Sequence, residues 1–157
     1  MPKFTFRLQS VLEHKQRLEE LAQLEHARAL ATQVTEERSL AQLHDAEGRG
    51  FSELERQRFQ GKLDIESLQL GMTYLDALKV QITRQAQVVG RVRQASEVKR
   101  EQLVGAMQER KTFERLREKQ LKDFTHEQAR RELVEQDEMV VMRHGRAQGQ
   151  ARGQTYA

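Results

Sequence analysis

In the second half of the chain, apolar residues return every three or four positions. From Asp64 to Arg143 there is no proline to interrupt this spacing, which is that of an α-helix. At about 1.5 Å per residue, such a helix would extend over roughly 120 Å, several times the diameter of a compact domain of this mass. The pattern therefore predicts one very long helix with a second helix lying alongside it.

The apolar face of this long helix has the alternating steps of three and four that are typical of a coiled coil. Its apolar positions are Leu75, Leu78, Ile82, Val89, Val92, Leu103, Ala106, Phe113, Phe124, Val134 and Val141. The same register also falls on Gln85, Ser96, Lys99, Arg110, Arg117, Glu127 and Arg131. We call these two sets together the second-helix seam. Because polar residues interrupt the seam, we expect a loosely wound hairpin.

The first half of the chain predicts an amphipathic helix that begins between Phe4 and Arg7 and ends in the high forties or high fifties. Its apolar side is predicted to consist of Leu8, Val11, Leu12, Leu18, Leu21, Ala22, Ala29, Leu30, Val34, Leu40 and Leu43. Together the two halves predict an all-α fold, a long antiparallel two-helix coiled-coil hairpin.

The reversal between the two helices is predicted at 59–64. Gly61 suits a left-handed helix C-terminus, and Asp64 suits the N-cap of the following helix. Gly48 and Gly50 mark an alternative turn, because the two glycines interrupt the helical pattern there.

A turn near residue 62 leaves the end of the second helix without an intramolecular partner. The numbers of facing residues then sum to roughly 124, so Phe4 lies near residue 120. Residues 1–143 are predicted to form the hairpin, with 121–143 as a helical overhang and 144–157 as a flexible tail. The overhang includes the apolar residues Phe124, Leu133, Val134, Met139, Val140, Val141 and Met142. This much apolar surface predicts either a docking element or a segment that is disordered alone.

Composition supports a thin helical protein. With 37% apolar and 5% aromatic residues, the chain is poor material for a globular core. The absence of cysteine excludes disulfides and thiolate metal sites, and it fits a reducing compartment. The chain begins without an apolar signal-peptide core and has no run of about eighteen apolar residues. We therefore expect a soluble, cytoplasmic protein.

The charges are segregated along the second helix, although the net charge is only +3. Residues 84–122 contain eleven basic and five acidic residues, whereas 123–138 contain six acidic and two basic residues. A solvated helical face explains this distribution, and an acidic partner along the basic part is the alternative.

The sequence contains no motif for catalysis, a metal or a cofactor. The histidines, which never stand three or four residues apart, are His14, His26, His44, His126 and His144. A phosphate-binding loop and a nucleophile elbow are both missing. Basic residues interleave with glutamates and have few aromatic neighbours, so nucleic acid is not an expected partner. The sequence therefore predicts a protein that is not an enzyme.

Four short stretches relate the chain to a known family. They are Phe4-x-Phe6-Arg7-Leu8-x-x-Val11-Leu12, Tyr74-Leu75-Asp76-Ala77-Leu78-x-x-x-Ile82, Glu109-Arg110-Lys111 with Leu116 and Lys119-Gln120, and Asp137-Glu138 before a short basic end. In order and spacing they resemble the FliJ family of flagellar export proteins over residues 1 to about 146. The turn region, 51–63, departs from the family pattern.

This resemblance implies a coiled coil similar to the γ-subunit stalk of rotary ATPases. It also implies a non-catalytic stalk and escort role in flagellar type III export, at the cytoplasmic face of the inner membrane. The implied partners are the hexameric export ATPase FliI, the export gate protein FlhA and the export chaperones. A free-standing coiled-coil secretion chaperone or tether, without ATPase contact, is the alternative.

Two partner surfaces follow when the resemblance is combined with helical geometry. The residues expected to enter the ATPase ring are Phe124, Leu133, Val134 and Val141. The residues expected to contact the export gate, at steps of four, three and four, are Tyr74, Leu78, Gln81 and Gln85. Because Leu78 and Gln85 also belong to the second-helix seam, packing inside the hairpin is the competing interpretation.

Overall fold

The structure, a computed structural model, describes the backbone of residues 3–62 and 64–153, and the side chains of these residues as far as His144. It contains two helices, α1 (Gln9–Phe59) and α2 (Ile65–Gly153). They lie against each other in opposite directions, and the described residues contain no strand. The predicted all-α helical hairpin is therefore confirmed.

The connection between the helices is built from the glycine and the aspartate of the predicted turn. Gly61 adopts a φ of 64°, and the amides of Gly61 and Lys62 donate to the carbonyls of Arg58 and Gln57. This pair of hydrogen bonds is a Schellman motif, which closes the C-terminus of a helix with a left-handed glycine. α1 continues through Gly48 and Gly50, the alternative turn site, without a break.

Asp64 begins α2 as its N-cap. Its Oδ1 accepts a hydrogen bond of 2.7 Å from the backbone N–H of Ser67, and its carbonyl accepts one from Leu68. The Ser67 N–H stabilises the ionised carboxylate and so lowers the pKa of Asp64.

Residues 15–108 form one compact unit. On α2, every position of the second-helix seam from Leu75 to Ala106 is at least partly buried, so the predicted register is correct here. Leu75, Leu78, Val89 and Ser96 are buried most deeply. Burial recurs at alternating steps of three and four because only one stripe of a straight helix can face its neighbour.

The predicted apolar side of α1 is wrong at several positions. Exposed side chains include Leu8, Leu18, Leu21, Leu30 and Val34. Polar residues take the covered positions instead: Glu19 is only 7% exposed, and partly buried positions include His26, Gln33, Glu36 and Glu47. The reason is that polar positions in the second-helix seam require polar partners, so the covered face of α1 is not simply its most apolar one.

Two polar seam residues of α2 show this pairing. Nε2 of Gln85 donates to Oε2 of Glu36 at 2.6 Å and to its backbone carbonyl at 3.1 Å. Nζ of Lys99 donates to Oε2 of Glu25 at 2.8 Å. These partner numbers sum to 121 and 124, close to the sum predicted for a turn near residue 62.

The second compact unit consists of residues 1–14 and 109–157. Its core contains Phe6 and Leu12, both buried, and a contact between the rings of Phe4 and Phe124, whose centroids lie 5.7 Å apart. From Ala129 to His144, every side chain is exposed. We call residues 129–144 the exposed segment.

The predicted flexible tail, 144–157, lies almost entirely outside the residues whose side chains the structure describes. Its backbone continues α2 as far as Gly153, and its flexibility stays a prediction.

Candidate partner-binding sites

A groove lies between the two helices close to their connection, within residues 15–108. Its volume is about 340 Å³, and its lining is formed by Gly50, Glu53, Leu54, Gln57, Ser67, Leu70, Gly71 and Tyr74. Its two glycines, Gly50 and Gly71, lie against Leu75 and Leu54 of the opposite helix, and the exposed side chains of Leu70 and Tyr74 stand at its rim. The groove therefore offers an open apolar surface the size of one or two large side chains. We call it the tip groove.

The carboxylate in the lining of the tip groove, that of Glu53, is paired with Arg56, which lies outside the lining. Arg56 and Glu53 form an ion pair at 2.7 Å, and Nε2 of Gln57 donates to Oε1 of the same carboxylate at 2.9 Å. Arg56 and, to a smaller extent, Gln57 hold the pKa of Glu53 below its ordinary value. The rim thus presents no uncompensated carboxylate to an apolar ligand.

The structure does not bring the four predicted gate residues to one surface. Tyr74 is 51% exposed and Gln81 is exposed, whereas Leu78 is 6% exposed and Gln85 is bonded to Glu36. Leu78 and Gln85 therefore contribute to packing between the helices. Tyr74 instead shares the tip groove with other residues.

Sequence reasoning missed Leu54 and Leu70, which line the same groove as Tyr74. The signal that could have found Leu54 is the pairing of small and large residues across the hairpin. Gly50 faces Leu75, and Gly71 faces Leu54, with residue numbers that sum to 125 in both cases. A glycine and a leucine whose residue numbers add up to about the predicted sum face each other and mark a place where the helices approach closely.

The exposed segment has its own apolar groove, of about 330 Å³, which is formed by Val134, Asp137, Glu138, Val141 and Met142. It arises because apolar residues seven apart, Val134 and Val141, stand on one face of α2 with Glu138 between them. Two of the four predicted ring residues thus share one surface.

The other two predicted ring residues lie elsewhere. Leu133 is exposed but does not line this groove. Phe124 contacts Phe4 and is only partly exposed, so it belongs to the packed part of its unit.

Both grooves are open, and neither brings together reactive groups. Within the described residues, no group of three or more His, Asp or Glu side chains could hold a metal ion. In the same part of the chain, neither helix contains a window long and apolar enough to cross a bilayer. What these surfaces can do chemically is bind apolar side chains, with charged groups at the rim.

Comparison with known proteins identifies the family. The family model of the flagellar FliJ protein matches residues 4–149, which is nearly the whole chain. No curated protein and no solved structure gives a significant match. The chain therefore belongs to the FliJ family and is a component of the flagellar export apparatus.

Proposed function

We propose that this protein is a non-catalytic stalk and escort of the flagellar export ATPase. It promotes assembly of the FliI hexamer and links it to the gate protein FlhA and to export chaperones, at the cytoplasmic face of the inner membrane. The observation that carries this proposal is the exposed segment. In a member of the FliJ family, sixteen consecutive helical residues, 129–144, leave every side chain exposed.

A helix in this state gains little from tertiary packing, and most helices in proteins depend on packing for their stability. The exposed segment nevertheless contains a group of large apolar side chains, and Val141 is 70% exposed. Burial would stabilise a complex by about 25 cal/mol per Å² of apolar surface. The central opening of a ring-shaped ATPase would receive such a helix and cover its apolar positions.

Within this proposal, Val134 and Val141 are the main contacts with the ring, because they share an apolar groove. Leu133 contacts a different part of the ring wall. Phe124 acts indirectly, since its contact with Phe4 holds the preceding turn of α2 in place.

The tip groove is the proposed gate contact. A bulky apolar side chain of the gate protein would enter between Leu54 and Tyr74, with Leu70 at the rim. Gln81, which is exposed two turns further along α2, extends the contact. Leu78 and Gln85 support this surface from inside the hairpin.

The experiment mixes the purified protein with its cognate export ATPase and measures hexamer formation and hydrolysis rate. The double variant Val134→Ser/Val141→Ser should lower stimulation at least about tenfold, as loss of one or two buried valines predicts. Met139→Ser is the control, because Met139 is exposed on the same segment but does not line the groove formed by Val134 and Val141.

Unchanged assembly and turnover with the wild-type protein would contradict the proposal and favour the free-standing chaperone or tether. Equal losses in the test and control variants would contradict the assignment to Val134 and Val141. Circular dichroism of each variant checks that the helices are retained.

A further inference from the structure

The second unit of the chain, residues 1–14 and 109–157, contains a line of positive charge along one side of α2. Its members follow one another at steps of four, four and three, and they are Lys111, Arg115, Lys119 and Lys122. At about 100° per residue the four lie within an arc of about 80°, and the line is about 16 Å long. We call it the basic stripe.

The basic stripe lies on the side of α2 that faces away from α1. The covered side of this part of α2 is marked by Phe113 and Phe124, which are both partly buried, and Phe124 contacts Phe4. Both phenylalanines lie about 160–180° around the helix from the middle of the stripe. A flat surface can therefore approach the stripe without meeting α1.

The four cations of the basic stripe are available to another molecule. Each side chain is exposed, and none forms an ion pair with another described residue. Within about 60° of the middle of the stripe, residues 108–126 include one carboxylate, that of Glu118. The face therefore has a clear excess of positive charge.

The same side of α2 continues beyond the stripe with apolar residues. Leu133 and Val140 are both exposed, and at about 100° per residue both lie within the arc of the stripe. The carboxylate of Asp137 stands at the edge of this arc. One face of a continuous helix thus presents four cations followed by two aliphatic side chains.

This combination distinguishes between the possible anionic partners. Nucleic acid offers phosphates to the cations but no apolar surface to Leu133 and Val140. The groove next to the stripe would be the place for an acidic protein segment, but its lining contains no stripe residue and consists of Glu114, Arg117, Glu118 and Leu121. A membrane with anionic lipids offers both negative charge and hydrocarbon, and it requires no groove.

We propose that this face of α2 binds the surface of a membrane that contains anionic lipids. The helix lies along the surface, and the basic stripe contacts the headgroups. Leu133 and Val140 enter the boundary between headgroups and acyl chains. Because most of the attraction is electrostatic, the contact is sensitive to salt.

This inference does not depend on contact with the export ATPase. The stripe ends at Lys122, before the exposed segment begins. Leu133 is also a proposed ring contact, so the membrane-bound helix and the ring-bound helix are alternative states of the protein.

Co-sedimentation of the full chain with lipid vesicles tests the proposal. Vesicles with about two-fifths phosphatidylglycerol in phosphatidylcholine are compared with vesicles of phosphatidylcholine alone, each at about 0.05 M and about 0.5 M salt. We expect binding to the anionic vesicles at the lower salt concentration. Binding should be at least about tenfold weaker at the higher salt concentration, and likewise weaker to the neutral vesicles.

Two variants that each remove four positive charges separate the stripe from net charge. The first neutralises the basic stripe (Lys111→Gln, Arg115→Gln, Lys119→Gln, Lys122→Gln) and should bind anionic vesicles at least about tenfold more weakly. The matched control neutralises four exposed arginines that are spread along α1 (Arg17→Gln, Arg28→Gln, Arg38→Gln, Arg49→Gln). Its affinity should stay within about twofold of the wild type, because its charges are not on the contact face.

A second pair of variants tests the apolar part of the face. Leu133→Ser/Val140→Ser should weaken binding at least about threefold, because it removes the side chains that enter the lipid. Met139→Ser/Met142→Ser is the control, since both methionines are exposed but lie more than about 100° around the helix from Leu133 and Val140. Circular dichroism of each variant checks that the helices are retained.

Absence of binding to anionic vesicles at low salt would overturn the proposal, and so would equal binding to neutral vesicles. Equal losses in the stripe variant and the α1 control would show that net charge alone causes attraction, and would overturn the assignment to the stripe. Unchanged binding of Leu133→Ser/Val140→Ser would overturn the assignment to a lipid surface, because the stripe would then bind anions without hydrocarbon. The assay contains no ATPase, so its outcome is separate from that of the proposed function.

Discussion

Leu54 of α1 packs directly over Gly71 of α2. A Cβ atom added at Gly71 would lie 2.5 Å from Cδ2 of Leu54, closer than real Cβ contacts allow. The leucine side chain thus occupies the space that a larger residue at 71 would need. This contact sets both the separation of the helices and the floor of the tip groove.

Gly71→Ala should therefore destabilise the protein. Alanine raises helix propensity by about 1 kcal/mol, but overpacking commonly costs about 1–3 kcal/mol, so the net effect is a loss of up to about 2 kcal/mol. Gly90→Ala is the control, because a Cβ at Gly90 meets nothing within 4 Å. Urea unfolding should show a lower midpoint for Gly71→Ala and a higher one for Gly90→Ala. Higher midpoints for both would contradict the close packing of Leu54.

Gly61→Ala should lower the free energy of unfolding by about 1 kcal/mol, since an L-residue at a φ of 64° is strained. Gly48 lies inside α1 with open space around it, so Gly48→Ala should instead be stabilising. Thermal unfolding of the two variants measures the difference. Equal shifts in melting temperature would argue against the left-handed turn.

The N-cap of α2 predicts a pH dependence. The Ser67 N–H lowers the folded-state pKa of Asp64 below its ordinary 3.8, so the unfolded chain binds the proton more readily. The stabilisation is then complete above the unfolded pKa and is lost as the pH falls through the folded one. Asp64→Ala should lower the melting temperature more at pH 7 than near pH 2. A difference that is independent of pH would show that the carboxylate charge is not involved.

Tyr74→Ala and Leu78→Ala should separate binding from packing. Because Tyr74 is half exposed, its removal should change stability by less than about 1 kcal/mol and weaken gate binding at least about tenfold. Leu78 is buried, and its truncation should cost about 2–5 kcal/mol. Calorimetry and binding to purified gate protein measure the two effects. A Tyr74→Ala variant that melts several degrees lower and still binds the gate would assign this residue to packing.

Local signals made much of the fold predictable. The periodicity of apolar residues predicted the two helices and the covered face of α2 from Leu75 to Phe113. The prediction succeeded because a long helix keeps one register, which polar residues in the pattern do not shift. Gly61 and Asp64 indicated the turn, since a left-handed C-terminus and an N-cap are each properties of a few adjacent residues.

The candidate sites were only partly predictable. Val134 and Val141 are exposed on one face, as a helix without a neighbour requires, but Leu78 and Gln85 are covered by α1. The spacing of residues along a helix shows which of them share a face. It does not show which face the partner helix covers.

The sequence by itself determined the helical class, the turn and the register of α2, because each depends on residues within a few turns of one another. Tertiary structure decided which face of α1 is covered, where Glu19 and Glu36 replace the more apolar Leu21 and Leu30. It also decided the tip groove, which exists only because Gly71 and Leu54 meet across the hairpin. These features depend on contacts between residues that are far apart in the chain. A local sequence pattern does not show which side chains will meet across the hairpin.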